Sequence, residues 1–118
     1  MQGIAAYQDN AVTTQSGGRI IVLLYDGAIK FLRQMISAIE RKDYAAKALY
    51  FNRAMDILDE LNFSLDMEQG GEVAANLRKL YVFMRTHVTM ASNKMDVEAI
   101  REVISLLEEL NEGWKAIT

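Results

Sequence analysis

The chain has 118 residues, a net charge of −3 and 25% charged residues, the size of one domain able to bury roughly two thirds of its unfolded surface. It has no cysteine, which removes disulfides, thiolate metal sites and cysteine nucleophiles. Lysine and arginine are scattered rather than gathered on one face, which argues against nucleic acid and anionic membrane as partners. No segment approaches the roughly 20 apolar residues of a membrane span. The opening Met1-Gln2-Gly3-Ile4-Ala5-Ala6-Tyr7 lacks the basic and apolar regions of a secretion signal, so a cytoplasmic protein without membrane insertion is expected.

Residues 1–15 are short and weakly periodic, yet carry Ile4, Tyr7 and Val12. They read as an N-terminal arm, with residues 16–118 as the folded domain. Ser16 is placed to cap a first helix over Gly17 to Arg41, its hydroxyl accepting from a free N–H of the first turn. Ile20, Leu24, Ala28, Phe31, Met35 and Ile39 form one stripe of that helix, widened by Ile21, Leu32 and Ile36. Gly27 falls in its middle, where glycine costs about 1 kcal/mol relative to alanine; the position points to close approach by another helix or by a partner.

Asp43 caps a second helix that is expected to run to Asp66, on the spacing Ala48, Phe51, Met55 and Leu58. Gly70-Gly71 breaks the pattern. A third helix follows with Val73, Leu77, Leu80, Met84, Val88 and Ala91 in register, and Asn93 is the residue expected to end it in the left-handed conformation. Asp96 caps a fourth, whose stripe is Ile100, Val103, Leu107, Leu110, Trp114 and Ile117. Proline is absent, so nothing interrupts these long segments. Short connections make the helices antiparallel neighbours, and the fold class is an all-α, up-down four-helix bundle.

Leu23, Leu49, Phe63, Tyr81, Phe83 and Leu106 fall outside the main stripes. With seven methionines, whose adaptable side chains suit helix-binding surfaces, they point to a function of binding another polypeptide. A homodimer, with the chain serving as a helical self-assembly module, is the alternative use of the same surface.

Enzymatic chemistry finds little support. His87 is the only histidine, and the residue three before it is Met84, so the Glu-x-x-His pairs of a bundle di-iron site are missing. Met84 and Met90 near His87 fit core packing better than haem ligation. Neither glycine pair, Gly17-Gly18 or Gly70-Gly71, forms a phosphate-binding loop, and carboxylates such as Asp56, Asp59 and Glu60 fit a solvated helix face. No cofactor, metal or catalytic residue is expected.

Three segments carry a resemblance. They are Ile4-x-x-Tyr7-x-x-Asn10-x-Val12-x-Thr14, then Ile20-Ile21-x-x-Leu24-Tyr25-Asp26-Gly27-Ala28-Ile29, and then a long stretch. That stretch is Glu60-Leu61-x-x-Ser64-Leu65-Asp66-x-Glu68-x-Gly70-Gly71-Glu72-x-Ala74-x-Asn76-Leu77-x-x-Leu80-Tyr81-x-x-Met84. In this order, over essentially the whole chain, they resemble the FliS family of flagellar secretion chaperones. Departures are Gly17 where the family commonly has proline after serine, His87 for arginine, Ser92 for asparagine and Gly113 for alanine.

The resemblance implies a four-helix bundle that binds the disordered C-terminal segment of flagellin, blocks premature polymerisation and escorts the client to the type III export apparatus. The flagellar export gate and a co-chaperone are the further partners it suggests. Helix-in-groove recognition coupled to folding is the physics expected. From the matched segments, the residues expected at the partner surface are Ile4, Tyr7, Asn10, Val12, Leu24, Tyr25, Asp26, Leu65, Asn76, Leu77 and Tyr81. The arm, led by Tyr7, would cover the groove when it is empty and compete with the client.

Overall fold

The computed structural model describes residues 17–118. The arm and its Ile4, Tyr7, Asn10 and Val12, together with the expected cap Ser16, lie outside the described residues. Four α-helices are present among those described: α1 Gly17–Glu40, α2 Tyr44–Phe63, α3 Gly71–Lys94 and α4 Val97–Ala116.

Two of the three connections are the same device. Lys42, at φ 60°, and Met95, at φ 54°, take the left-handed conformation after α1 and α3. The next residue's N–H then reaches back, Asp43 to the Ala38 carbonyl at 2.9 Å and Asp96 to the Ala91 carbonyl at 2.8 Å, closing each helix as a Schellman motif. Each aspartate at once caps the following helix, accepting from Ala46 N and Ala99 N, both at 3.1 Å. The expected caps are therefore present, but Met95 rather than Asn93 is the left-handed residue. Asp96 must stand immediately before α4 to cap it, so the residue just ahead of it has to make the bend.

The second helix stops at Phe63, short of the expected Asp66. Ser64 donates its hydroxyl to the Leu61 carbonyl at 2.9 Å, and the Asp66 carboxylate accepts from the N–H groups of Glu68 and Gln69. Serine and aspartate offer the backbone local alternatives to the helical ladder, and here they end it. Gly71, at φ 51°, then opens α3 in a conformation that glycine adopts without a steric penalty.

Cross-helix contacts give the register. Phe31 stacks on Tyr50 between α1 and α2, Arg85 pairs with Asp59 at 2.8 Å between α2 and α3, and His87 meets Glu102 at 3.2 Å between α3 and α4. Between α1 and α4, Lys115 lies 4.0 Å from Asp26 and Arg101 lies 3.7 Å from Glu40. Neighbours in sequence are thus antiparallel, α1 also packs on α4, and the ring of four helices closes. The ion pairs are exposed, so they set register more than stability. The bundle measures 45 × 28 × 24 Å.

Tyr25, Leu32 and Met35 from α1, Leu58 and Leu61 from α2, Met84 and Val88 from α3, and Ile100, Val103 and Leu107 from α4 fill the axis. Burying each large apolar side chain stabilises by about 1.5–3 kcal/mol. Gly27 has a packing reason: a Cβ there would lie 3.1 Å from the Ile57 Cδ1 of α2, so the close neighbour is a bundle helix. Ala48, expected on the inner stripe of α2, is exposed, because the first turns of that helix sit at the rim of the core.

Candidate partner-binding site

Because the helices alternate, the start of α1, the end of α2, the start of α3 and the end of α4 share one end of the bundle. There α3 and α4 leave between them an apolar cleft of about 230 Å³, lined by Val73 and Leu77 on one side and by Leu110, Gly113, Trp114 and Ile117 on the other. Val73 is 66% and Ile117 75% exposed. Both belong to stripes that run inward along their helices, but they sit in terminal turns, beyond the last layer of the core.

Under the cleft is a buried aromatic cluster. The hydroxyls of Tyr25 and Tyr81 share a hydrogen bond of 2.7 Å, and their rings meet edge-to-face at 6.3 Å. Trp114 rests on Tyr25 with ring centroids 6.3 Å apart, so the wall of the cleft is supported by the tyrosine pair. Neither tyrosine is at the surface: Tyr25 is 0% and Tyr81 3% exposed. Both were expected at the partner surface; here each buries its whole ring and hydrogen-bonds the other's hydroxyl, so the pair supports the cleft from beneath.

Burial pushes both phenols above the ordinary tyrosine value of 10. The folded protein then holds protons that the unfolded chain releases, so this contribution to stability is complete below pH 10 and is lost as pH rises beyond it. Above about pH 10, stability is expected to fall more steeply than in the Tyr25→Phe/Tyr81→Phe double variant, by up to about 3 kcal/mol per pH unit. Urea denaturation at a series of alkaline pH values measures the difference.

The other expected surface residues do not converge. Leu77 lines the cleft, with the exposed Asn76 next to it in α3. Leu24 and Leu65 are half-buried and pack against the core. Asp26 lies on the far side of α4, accepting from Asn111 Nδ2 at 2.9 Å. A larger cleft of about 490 Å³ opens there between α1 and α4, lined by Asp26, Lys30, Arg33, Glu108, Asn111 and Lys115 among others. Its walls are tied across by Asn111 to Asp26, Arg33 to Glu108 and Lys115 to Asp26, which makes it a polar seam of the bundle.

Of the off-stripe apolar residues, Leu23, Leu49, Phe63 and Phe83 are exposed, Leu106 is half-buried and Tyr81 is core. His87 stacks on Phe83 with centroids 5.0 Å apart and meets Glu102, which accounts for the only histidine. Val73, Leu110, Gly113, Trp114 and Ile117 are cleft residues that periodicity assigned to the core or left unassigned. The available signal was their place at or near the first turn of α3 and the last two turns of α4. Among the described residues no helix is long and apolar enough to cross a membrane.

Fold and cleft define a class: an all-α bundle that exposes a contiguous apolar cleft at one end, an arrangement suited to seating an amphipathic helix. The family model described as flagellar protein FliS matches residues 1–118, and the chain belongs to this family of flagellar secretion chaperones. It is 37% identical over 121 residues to the flagellar secretion chaperone FliS of Salmonella typhimurium, covering 98% of this chain and 90% of that one. Identity to the corresponding protein of Bacillus subtilis is 33% over 110 residues, covering 93% and 81%. A solved structure titled as a flagellar chaperone from bacteria superposes with a TM-score of 0.82 at 17% identity, over 99% of this chain and 95% of that one. At that identity it bears on the fold alone, which it matches.

Proposed function

We propose that this protein binds the C-terminal segment of flagellin in the cytoplasm, holds it as an amphipathic helix in the α3–α4 cleft, and so keeps it from polymerising until it reaches the flagellar export apparatus. Family membership supports a flagellar export client, and the observation that carries the reading is the exposed apolar cleft over the Tyr25–Tyr81–Trp114 cluster. A client helix laid there covers Val73 and Ile117, which are largely exposed among the described residues. Removing that apolar area from water stabilises the complex, and ordering the client offsets several kcal/mol of the gain. Selectivity then comes from which client side chains fit between the two helices.

Isothermal titration calorimetry with a flagellin C-terminal peptide, run at several temperatures, tests the reading. A negative heat-capacity change together with a gain of helix by circular dichroism is the expected result. Absence of binding at micromolar peptide would overturn it. A stable dimer of the protein alone, unaffected by peptide in sedimentation, would favour self-assembly instead.

A further inference from the structure

We infer that Gly113 is a specificity-determining notch in the α3–α4 cleft, which seats one large apolar side chain of the client's helix; the inference rests on the client reading proposed above. Gly27, Gly70 and Gly71 have reasons inside the chain. A Cβ at Gly27 would press on Ile57, one at Gly70 would lie 2.7 Å from the Asp66 carbonyl oxygen, and Gly71 has φ 51°. Gly113, like Gly17 at the very start of α1, has none of these, but only Gly113 lines the cleft. It lies in the last turn of α4, and a Cβ built there meets nothing within 4 Å among the described residues. Glycine is a poorer helix former than alanine, so these residues give no reason within the bundle for glycine at this position.

The surroundings say what the missing side chain leaves open. Leu110 and Ile117 stand three and four residues to either side of Gly113, on the same face of α4, and all three line the cleft opposite Val73 and Leu77. The result is a dip between two large side chains, floored by helix backbone. From Leu110 to Ile117 the wall runs about 10 Å, two helical turns, room for a short amphipathic helix.

The cleft also limits the chemistry of the occupant. Its lining is apolar throughout, and the exposed charges beside it are of both signs, Glu72, Glu109 and Glu112 with Arg78 and Lys115, so the lining selects for apolar shape. The occupant is therefore a helical stretch of the client with a leucine-, isoleucine- or phenylalanine-sized residue over Gly113.

The test uses the full chain and a fluorescently labelled flagellin C-terminal peptide, with Gly113→Ala and Gly113→Leu variants. Alanine should leave the melting temperature unchanged or raise it by up to about 3 °C and yet weaken peptide binding about tenfold, because the added methyl overpacks an occupied notch. Leucine should weaken binding further while the protein stays folded. Unchanged peptide affinity in both folded variants overturns the inference and leaves the client reading standing. Tighter binding also overturns it, because the added methyl then finds room beside the client instead of filling its seat. Failure of the unsubstituted protein to bind peptide instead removes the client reading, and this inference with it.

Discussion

Replacing Tyr25 by alanine is expected to destabilise the bundle by about 5 kcal/mol, a large part of the 5–15 kcal/mol that holds a domain of this kind together. The side chain is fully buried, and it touches Tyr81 through both ring and hydroxyl and Trp114 through its ring. Deleting it opens a cavity where α1, α3 and α4 meet and strands the Tyr81 hydroxyl in the core, two costs that add. Tyr25→Phe keeps the packing and removes only the hydrogen bond, so about 1–2 kcal/mol is expected. Urea denaturation of the three proteins measures both values. A loss below about 2 kcal/mol for the alanine variant would mean that the tyrosine does not hold the cleft wall in place.

Val73→Asp is expected to leave the fold within about 0.5 kcal/mol of the parent, because the side chain it replaces is mostly in water. Its effect on client binding should be large. A carboxylate on the α3 wall must lose its water when an apolar helix docks against it and finds no cation in the lining. A fall in peptide affinity of at least about 30-fold, equivalent to about 2 kcal/mol, is the expected outcome. Calorimetry reads the affinity and a thermal melt confirms folding. An affinity within twofold of the parent would move the client to another face.

Much of the fold could be read from the residues. The aspartates at 43 and 96 cap the helices they were expected to cap, since a carboxylate three residues ahead of an unpaired N–H depends only on local geometry. The stripes Leu32–Met35 and Ile100–Val103–Leu107 are buried as expected, because period 3.6 reports one face directly. What local signals missed was set by neighbours. Met95 rather than Asn93 bends left-handed, since the position of the next cap fixes where the chain must turn.

The site was less legible than the fold, for a related reason. Tyr25 and Tyr81 are 56 residues apart, and nothing in either helix alone says that their hydroxyls bond to each other. An amphipathic tyrosine fits a wet groove as well as a paired core, and only the pairing decides. Val73 and Ile117 carry the same periodic signal as Leu77 and Leu107, yet lie past the end of the core. Periodicity gives the face of a helix but not the height at which the core stops. Leu77 lines the cleft, while Asp26 belongs to the opposite side of α4.

Trp114 is the chain's only tryptophan, and it stands in the wall of the cleft. Its fluorescence during titration with a tryptophan-free flagellin C-terminal peptide therefore reports on the cleft and nowhere else. Docking of the client helix in the cleft predicts a saturable blue shift of the emission, with the midpoint equal to the calorimetric dissociation constant and lost in Val73→Asp. Saturable binding in the calorimeter with no change in Trp114 emission would contradict that placement.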